Sequence, residues 1–290
     1  MLIRRATSTL SSFATRMPSM KAACVIIGDE VLNGKITDTN SRFFAKYCYN
    51  LGLELQEIST IGDRRDQIIS TIQRLSTEND FIVTSGGIGS THDDITYEAI
   101  ASGFGLTCKL DVECQERMRK ISQPESKYQG DALKAFYRMA TLPEGPNVNN
   151  YYVSKDLWVP IVSISKKVYI LPGIPQLYEK LLTDFAPTVK QIYGLGEERS
   201  QYYRRFFVKT RQSESQTASY LRDLQSRCND VSSDIKIGSY PHFGTGFSTV
   251  SILGLAEHEL FLKEVVKEVC QKIDGTPITA EMEQKYSDAR

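Results

Sequence analysis

The six cysteines of this 290-residue chain, Cys24, Cys48, Cys108, Cys114, Cys228 and Cys270, include no C-x-x-C pair. Structural zinc sites and redox dithiols need closely spaced ligands, so neither is expected, and scattered thiols fit a reducing compartment. Only three histidines occur, His92, His242 and His258, far apart in sequence. That spacing gives no support for a histidine metal cluster or a Ser-His-Asp triad. Net charge is also absent, with 35 basic residues against 35 acidic ones. A duplex-binding surface normally announces itself as a basic excess, so composition does not point to nucleic acid. No apolar run approaches the ~20 residues of a membrane-spanning helix. The chain has no internal repeat, no Walker-type phosphate loop and no G-x-G-x-x-G dinucleotide fingerprint.

Acidic residues are missing from the N-terminal segment, where the first is Asp29. Residues 1–20 instead hold Arg4, Arg5 and Arg16 among many Ser and Thr. On a helix, Leu2, Ile3, Ala6, Leu10 and Phe13 would form an apolar stripe with the arginines largely off it. That pattern predicts a mitochondrial targeting segment, with a cytoplasmic protein started at Met17 or Met20 as the alternative.

What remains is ordinary for a globular protein, 41% apolar and 24% charged. The length suits one large domain and one small one. Ala22–Ile27 is a continuous apolar run, read as a buried parallel strand. A helix over Thr39–Leu51, a strand over Leu53–Ile61, a helix over Asp63–Leu75 and a strand over Asp80–Thr84 follow. This alternation predicts βαβ units on a parallel sheet. Further helices are expected over Tyr97–Ser102, Val112–Ile121, Asp131–Met139 and Gln176–Phe185, a strand over Lys167–Leu171, and a loop over Pro143–Asn150. Gly194–Ser200 reads as a boundary. Beyond it a strand-helix-strand-strand-helix order predicts a small α+β domain over 200–275, with a frayed polar tail over 276–290.

On a parallel sheet, ligands bind outside the carboxyl ends of the strands. Three loops should converge there. Ser85-Gly86-Gly87-Ile88-Gly89-Ser90-Thr91 offers glycines for close backbone approach and hydroxyls as donors, a composition suited to phosphate oxygens. Asp93 and Asp94 follow directly, and two carboxylates beside a phosphate loop call for a bridging cation, Mg²⁺ or similar. Capping of the next helix is the plainer role for Asp94, and equally for Asp38, Thr39 and Asp63. Glu30, Asp38 and Asn40 bring further polar groups to the same edge, and Pro172-Gly173 would stiffen its far wall.

Gly28-Asp29-Glu30 through Asn40, Thr84 through Ala99, and Leu171 through Pro175 together resemble the molybdopterin-binding (MoaB/MogA-like) domain in its CinA-like form, over roughly Lys21–Tyr193. Lys167–Pro175 and Ile237–Pro241 are similar to the N-terminal half of animal-type FAD synthases. The resemblance implies a three-layer α/β fold, and metal-dependent cleavage of a dinucleotide pyrophosphate, FAD to FMN and AMP or an ADP-ribose-type substrate. The similarity stops near Ile273, so FAD synthesis is not implied. Asp94 matches the critical acid of adenylyl-transferring relatives, Asp63 matches a second acid more loosely, and Asp93 is the partner carboxylate of the CinA-like form. The implied set has Asp63, Asp93 and Asp94 as catalytic residues, Glu30, Asp93 and Asp94 as metal ligands, and K⁺ as an additional candidate ion. Gly28, Glu30, Asp38, Asn40, Ser85, Gly86, Gly87, Gly89, Ser90, Thr91, Pro172 and Gly173 would bind substrate. Relatives are often oligomeric. Ser90 replaces a common proline, and Asn149–Val162 lacks the Ala-Pro-Gly element of bacterial forms. Two competing functions are adenylylation of molybdopterin and non-catalytic binding of a flavin or nucleotide.

Overall fold

The computed structural model describes residues 20–196 and 202–288. The expected targeting segment therefore lies outside the described residues, except Met20. The larger unit contains β1 (Met20–Ile27), α1 (Asp29–Leu32), α2 (Asn40–Leu51), β2 (Leu53–Ile61), α3 (Arg65–Glu78), β3 (Phe81–Ser85), α4 (Thr96–Gly103), β4 (Thr107–Leu110), α5 (Val112–Ser122), α6 (Gly130–Arg138), β5 (Thr141–Glu144), β6 (Val148–Tyr151), β7 (Ile161–Ile164), β8 (Val168–Leu171) and α7 (Pro175–Tyr193).

β1, β3 and β8 have almost no polar side chains because both of their faces are covered, as central strands of an α/β sheet require. The six-stranded sheet runs β2-β1-β3-β8-β7-β6. β2, β1, β3 and β8 are parallel, while β7 and β6 close the far side antiparallel. The chain steps from β1 outward to β2 and then back across β1 to β3. Right-handed crossovers place the two connecting helices on opposite faces, and α2 packs with α7 while α3 packs with α4. The result is the expected three-layer α/β unit. Its centre is aromatic: Phe81 lies 5.9 Å from Phe44 and 5.0 Å from Tyr169, centroid to centroid. Burying one such ring stabilises the fold by about 1.5–3 kcal/mol.

Register decides where the loops emerge. Ile26 on β1 pairs with Ser85 on β3, and Ser85 pairs with Leu171 on β8. The three strands therefore end level, and the chain reverses direction at this point, which is where such sheets open a crevice.

The smaller unit adds β9 (Tyr203–Thr210), α8 (Glu214–Val231), β10 (Lys236–His242), β11 (Phe247–Leu255), α9 (Glu259–Lys272), β12 (Thr276–Ile278) and α10 (Ala280–Asp288). Its antiparallel sheet runs β10-β11-β9-β12 over a separate core that includes Val208, Leu224, Ile252 and Leu262.

Two expectations fail here. The stretch from Thr276 is not a frayed tail: β12 pairs with β9 through Ile278 and Phe207, and Tyr286 of α10 packs edge-on to Phe247 at 4.8 Å. Backbone ladders and a single ring hold it, and neither produces a hydrophobic period. Nor is Pro143–Asn150 all loop. Thr141–Glu144 pairs with β4 and Val148–Tyr151 with β7, leaving a short turn between them. Strands β4 and β7 were not read from the sequence either, being only four residues long. No helix among the described residues is long and apolar enough to cross a membrane.

Candidate functional site

The level ends of β1, β3 and β8 frame a cavity of about 400 Å³. Asn40 ties its loops together. The first residue of α2 and only 5% exposed, it donates through Nδ2 to Ser85 Oγ and to Gly173 O, both at 2.8 Å. One amide thus joins the loops after β1, β3 and β8. Its Oδ1 is buried with no hydrogen-bond partner.

Glycine is needed at two close approaches. Gly86 has φ +113°, and a Cβ there would lie 2.1 Å from Ile27 O. Its N–H donates to Leu171 O at 3.2 Å. Gly89 leaves room for the Asp94 carboxylate, which a Cβ would meet at 2.5 Å.

Asp94 turns inward. Its Oδ2 accepts from Thr91 N at 2.9 Å and from Thr91 Oγ1 at 2.6 Å. It does not cap α4, whose capping residue is Ile95 with no side-chain bond. From α6, Arg138 backs this turn, donating to Thr91 O, to Asp94 O at 2.7 Å and to Glu98 Oε1 at 3.2 Å. Asp93 is exposed and lies outside the cavity lining, its carboxyl held below the ordinary range chiefly by the nearby Thr91 side chain. Asp63 accepts from Asp29 N at 2.9 Å and does not cap α3. Burial pushes its carboxyl up, against that hydrogen bond, and the neighbouring Glu30, Asp29 and Asp93 add to the rise. Asp38 is the one that caps, accepting from Ser41 N at 3.0 Å at the start of α2.

Ten of the residues singled out from the sequence line the cavity: Glu30, Asp38, Asn40, Ser85, Gly86, Gly87, Gly89, Asp94, Pro172 and Gly173. Gly28, Asp63, Ser90, Thr91 and Asp93 are not in its lining. Gly28 makes room for Glu30 and Thr91 holds Asp94, so both support the wall from behind. The expected Glu30–Asp93–Asp94 ligand trio is not assembled: among the described residues no group of three or more His, Cys, Asp or Glu is placed to hold a metal ion. The donor chemistry nevertheless suits a hard cation. Glu30, Asp38 and Asp94 are the charged lining residues, and no Lys, Arg or His joins them.

The apolar part of the lining escaped sequence reasoning. Met139, Trp158 and Val159 share the cavity with the acids, as do Val31, Ile36 and Leu177. Trp158 packs against Phe136 of α6 at 6.1 Å. These residues sit in loops between short elements, and no periodicity marks them. Arg138 was likewise read only as part of a helix. A cavity lined by apolar side chains, carboxylates and a glycine loop can hold a planar ring together with an anionic, cation-bridged group.

A family model described as a probable molybdopterin binding domain matches residues 23–191. The chain belongs to this family. A crystal structure of the protein CinA, of unknown function, from Thermoplasma acidophilum superposes with a TM-score of 0.50 at 26% identity, covering 58% of this chain and 98% of that one. The molybdopterin-binding unit thus matches a CinA protein almost end to end, as the motifs implied. A probable FAD synthase of Caenorhabditis elegans is 29% identical over 90% of this chain and 51% of its own length. A protein of Pyrococcus abyssi is 30% identical over 86% of this chain and 95% of its own length. The chain spans about half the length of the worm FAD synthases it matches.

Proposed function

We propose that the cavity binds a dinucleotide pyrophosphate and that the chain hydrolyses it, with FAD, cleaved to FMN and AMP, as the leading substrate and an ADP-ribose-type molecule as the next. One observation carries this reading: a single cavity joins an apolar wall of Met139, Trp158 and Val159 to a glycine loop lined by carboxylates. The wall suits a flavin or adenine ring, and the backbone of Gly86–Gly89 can approach phosphate oxygens closely. The worm relative's name, a probable FAD synthase, supports a flavin dinucleotide as ligand.

A pyrophosphate brought beside Glu30, Asp38 and Asp94 would meet only like charge from side chains. A divalent cation bound by Asp94 with Glu30 or Asp38, Asp93 lying outside the lining, would offset that repulsion and polarise a phosphoryl oxygen. The chain's own residues do the rest. Thr91 and Arg138 hold Asp94 facing the cavity, and Asn40 fixes the distance between the glycine loop and the Pro172–Gly173 wall. In the reaction water adds to one phosphorus, the bridging P–O bond breaks, and each half leaves as a monophosphate. Asp63 lies behind the cavity wall and serves as a positioning residue for Asp29 at the head of α1.

Incubating the purified chain with Mg²⁺ and either FAD or ADP-ribose, with products separated by chromatography, tests the reading. AMP is expected from at least one substrate, and Asp94→Asn should lower kcat by about 10²-fold or more, as loss of a transition-state electrostatic contact does. Absence of AMP from both would overturn it. The family description favours a second reading, adenylylation of molybdopterin, since a pterin is also a planar ring. Transfer of AMP from ATP to molybdopterin, without cleavage of FAD, would select it. Tight FAD binding without turnover would select a purely binding role.

A further inference from the structure

A second cavity, about 550 Å³, opens at the seam where α2 and β2 of the larger unit meet β9, β10 and β11 of the smaller one. Its charge is opposite to that of the first. Arg42, Lys46, Arg205 and Lys236 line it against Glu54 and Asp234. Among the described residues, no carboxylate lies within 4.0 Å of the charged groups of Lys46, Arg205 or Lys236. Four cations against the two lining carboxylates leave the cleft with an excess of positive charge, and an anion entering between the cations relieves their mutual repulsion.

Aromatic surface lies in the same cleft. Tyr49 stacks on Tyr203, centroids 5.5 Å apart and planes 17° from parallel, and the Arg205 guanidinium sits 5.2 Å from the Tyr49 ring centroid. Planar guanidinium and phenol groups are the surfaces on which heteroaromatic rings stack.

An oxyanion already reaches this rim. Asp288, in the last turn of α10, accepts from Arg42 Nη2 at 2.6 Å. That hydrogen bond, with help from Gln284 and the Lys46 charge, holds its carboxyl below the ordinary range. The chain's own carboxylate thus already engages one of the lining cations.

We propose that the seam is a second ligand site, for a molecule of the mononucleotide class, one planar heteroaromatic ring carrying one phosphate, and that Asp288 competes with the phosphate for Arg42. The volume suits such a ligand. Arg42, Lys46, Arg205 and Lys236 would hold the phosphate by charge-assisted hydrogen bonds, and the Tyr49–Tyr203 stack would take the ring. The site owes nothing to hydrolysis at the first cavity and stands whether or not that reaction occurs. If it does, both of its products from FAD belong to the class bound here.

Photolabelling the full chain with 8-azido-AMP, followed by peptide mapping and by calorimetric titration with AMP, tests the proposal. Label is expected in segments 42–55, 203–205 or 234–236, with protection by AMP and FMN and none by adenosine. Arg205→Ala and Lys236→Ala should each weaken AMP at the seam by about tenfold, the size of one lost charge-assisted contact. Asp288→Asn should tighten it by about two- to fivefold, the size of one exposed ion pair. A misfolded protein cannot produce opposite changes, so the pair of results separates binding from stability. Label confined to the first cavity, affinity unmoved by Arg205→Ala, or no gain from Asp288→Asn would each overturn the proposal. Protection by inorganic phosphate as strong as by AMP would overturn the mononucleotide assignment.

Discussion

Asp93 and Asp94 are adjacent in sequence and differ in placement. Asp94 turns into the cavity on two bonds from Thr91, while Asp93 lies outside the lining and is exposed. Asp63 shows the reverse: its carboxyl is raised by burial and by neighbouring acids. For an acid this means that its ionised form opposes folding. The associated stability is fully present below the ordinary value of 3.8 and is lost as the pH climbs through the raised one. Asp63→Asn keeps an acceptor for Asp29 N and removes the charge. The variant should therefore melt higher than the parent at neutral pH, with the gain gone below the ordinary value of 3.8, as thermal denaturation across pH would show. In the proposed reaction Arg138 positions Asp94. Arg138→Ala should lower kcat/KM by about 10–100-fold through loss of charge-assisted bonds worth ~1.5–3 kcal/mol. Arg138→Lys should recover only part of it, because a point charge cannot serve three spread acceptors. At this scale the acids and glycines of the site were legible because their types are chemically demanding. Arg138 and Trp158 were not, since a helix arginine or a loop tryptophan carries no mark of what it faces.

Among the elements, the central strands declared themselves by length and unbroken apolar character, and so did the amphipathic helices α2, α3 and α7. The short strands β4, β5, β6 and β7 did not. β8 is as short but wholly apolar, whereas β4, β5 and β6 mix polar and apolar residues and β7 is broken by Ser163, so no run marks them. Their effect on the site is direct, because Met139 and Trp158 hang from the loops that they anchor. The three-loop tie made by Asn40 is also an element-level property. Asn40→Ala removes one buried and one part-buried hydrogen bond and leaves Ser85 Oγ and Gly173 O without that donor. It should cost about 1–3 kcal/mol of stability and raise KM, since the glycine loop and the Pro172–Gly173 wall lose their common anchor. Chemical denaturation and steady-state kinetics measure the two effects separately.

For the whole molecule, two separate cores lie under two sheets. Truncation after Gly275 would strip β12 from β9 and expose that strand's edge. An open edge invites pairing with other chains. The truncated chain should aggregate on heating at lower temperature than the parent while keeping the activity proposed for the first cavity, as light scattering and assay would show. The seam between the units would also lose Asp288 and its hold on Arg42.

The alternation of strands and helices, the parallel order of the central strands and the meeting of the loops after β1, β3 and β8 at one sheet edge follow from the sequence alone. Each depends on local pattern: apolar runs that only a two-sided sheet can bury, helical spacing, and glycines after strands. The motifs also carried the family. Tertiary structure alone decided which carboxylate enters the cavity, which apolar side chains share it, and that the last residues complete a sheet. Those outcomes are set by contacts between residues such as Arg138 and Thr91, or Ile278 and Phe207, whose partners lie far away along the chain and leave no periodic trace in it.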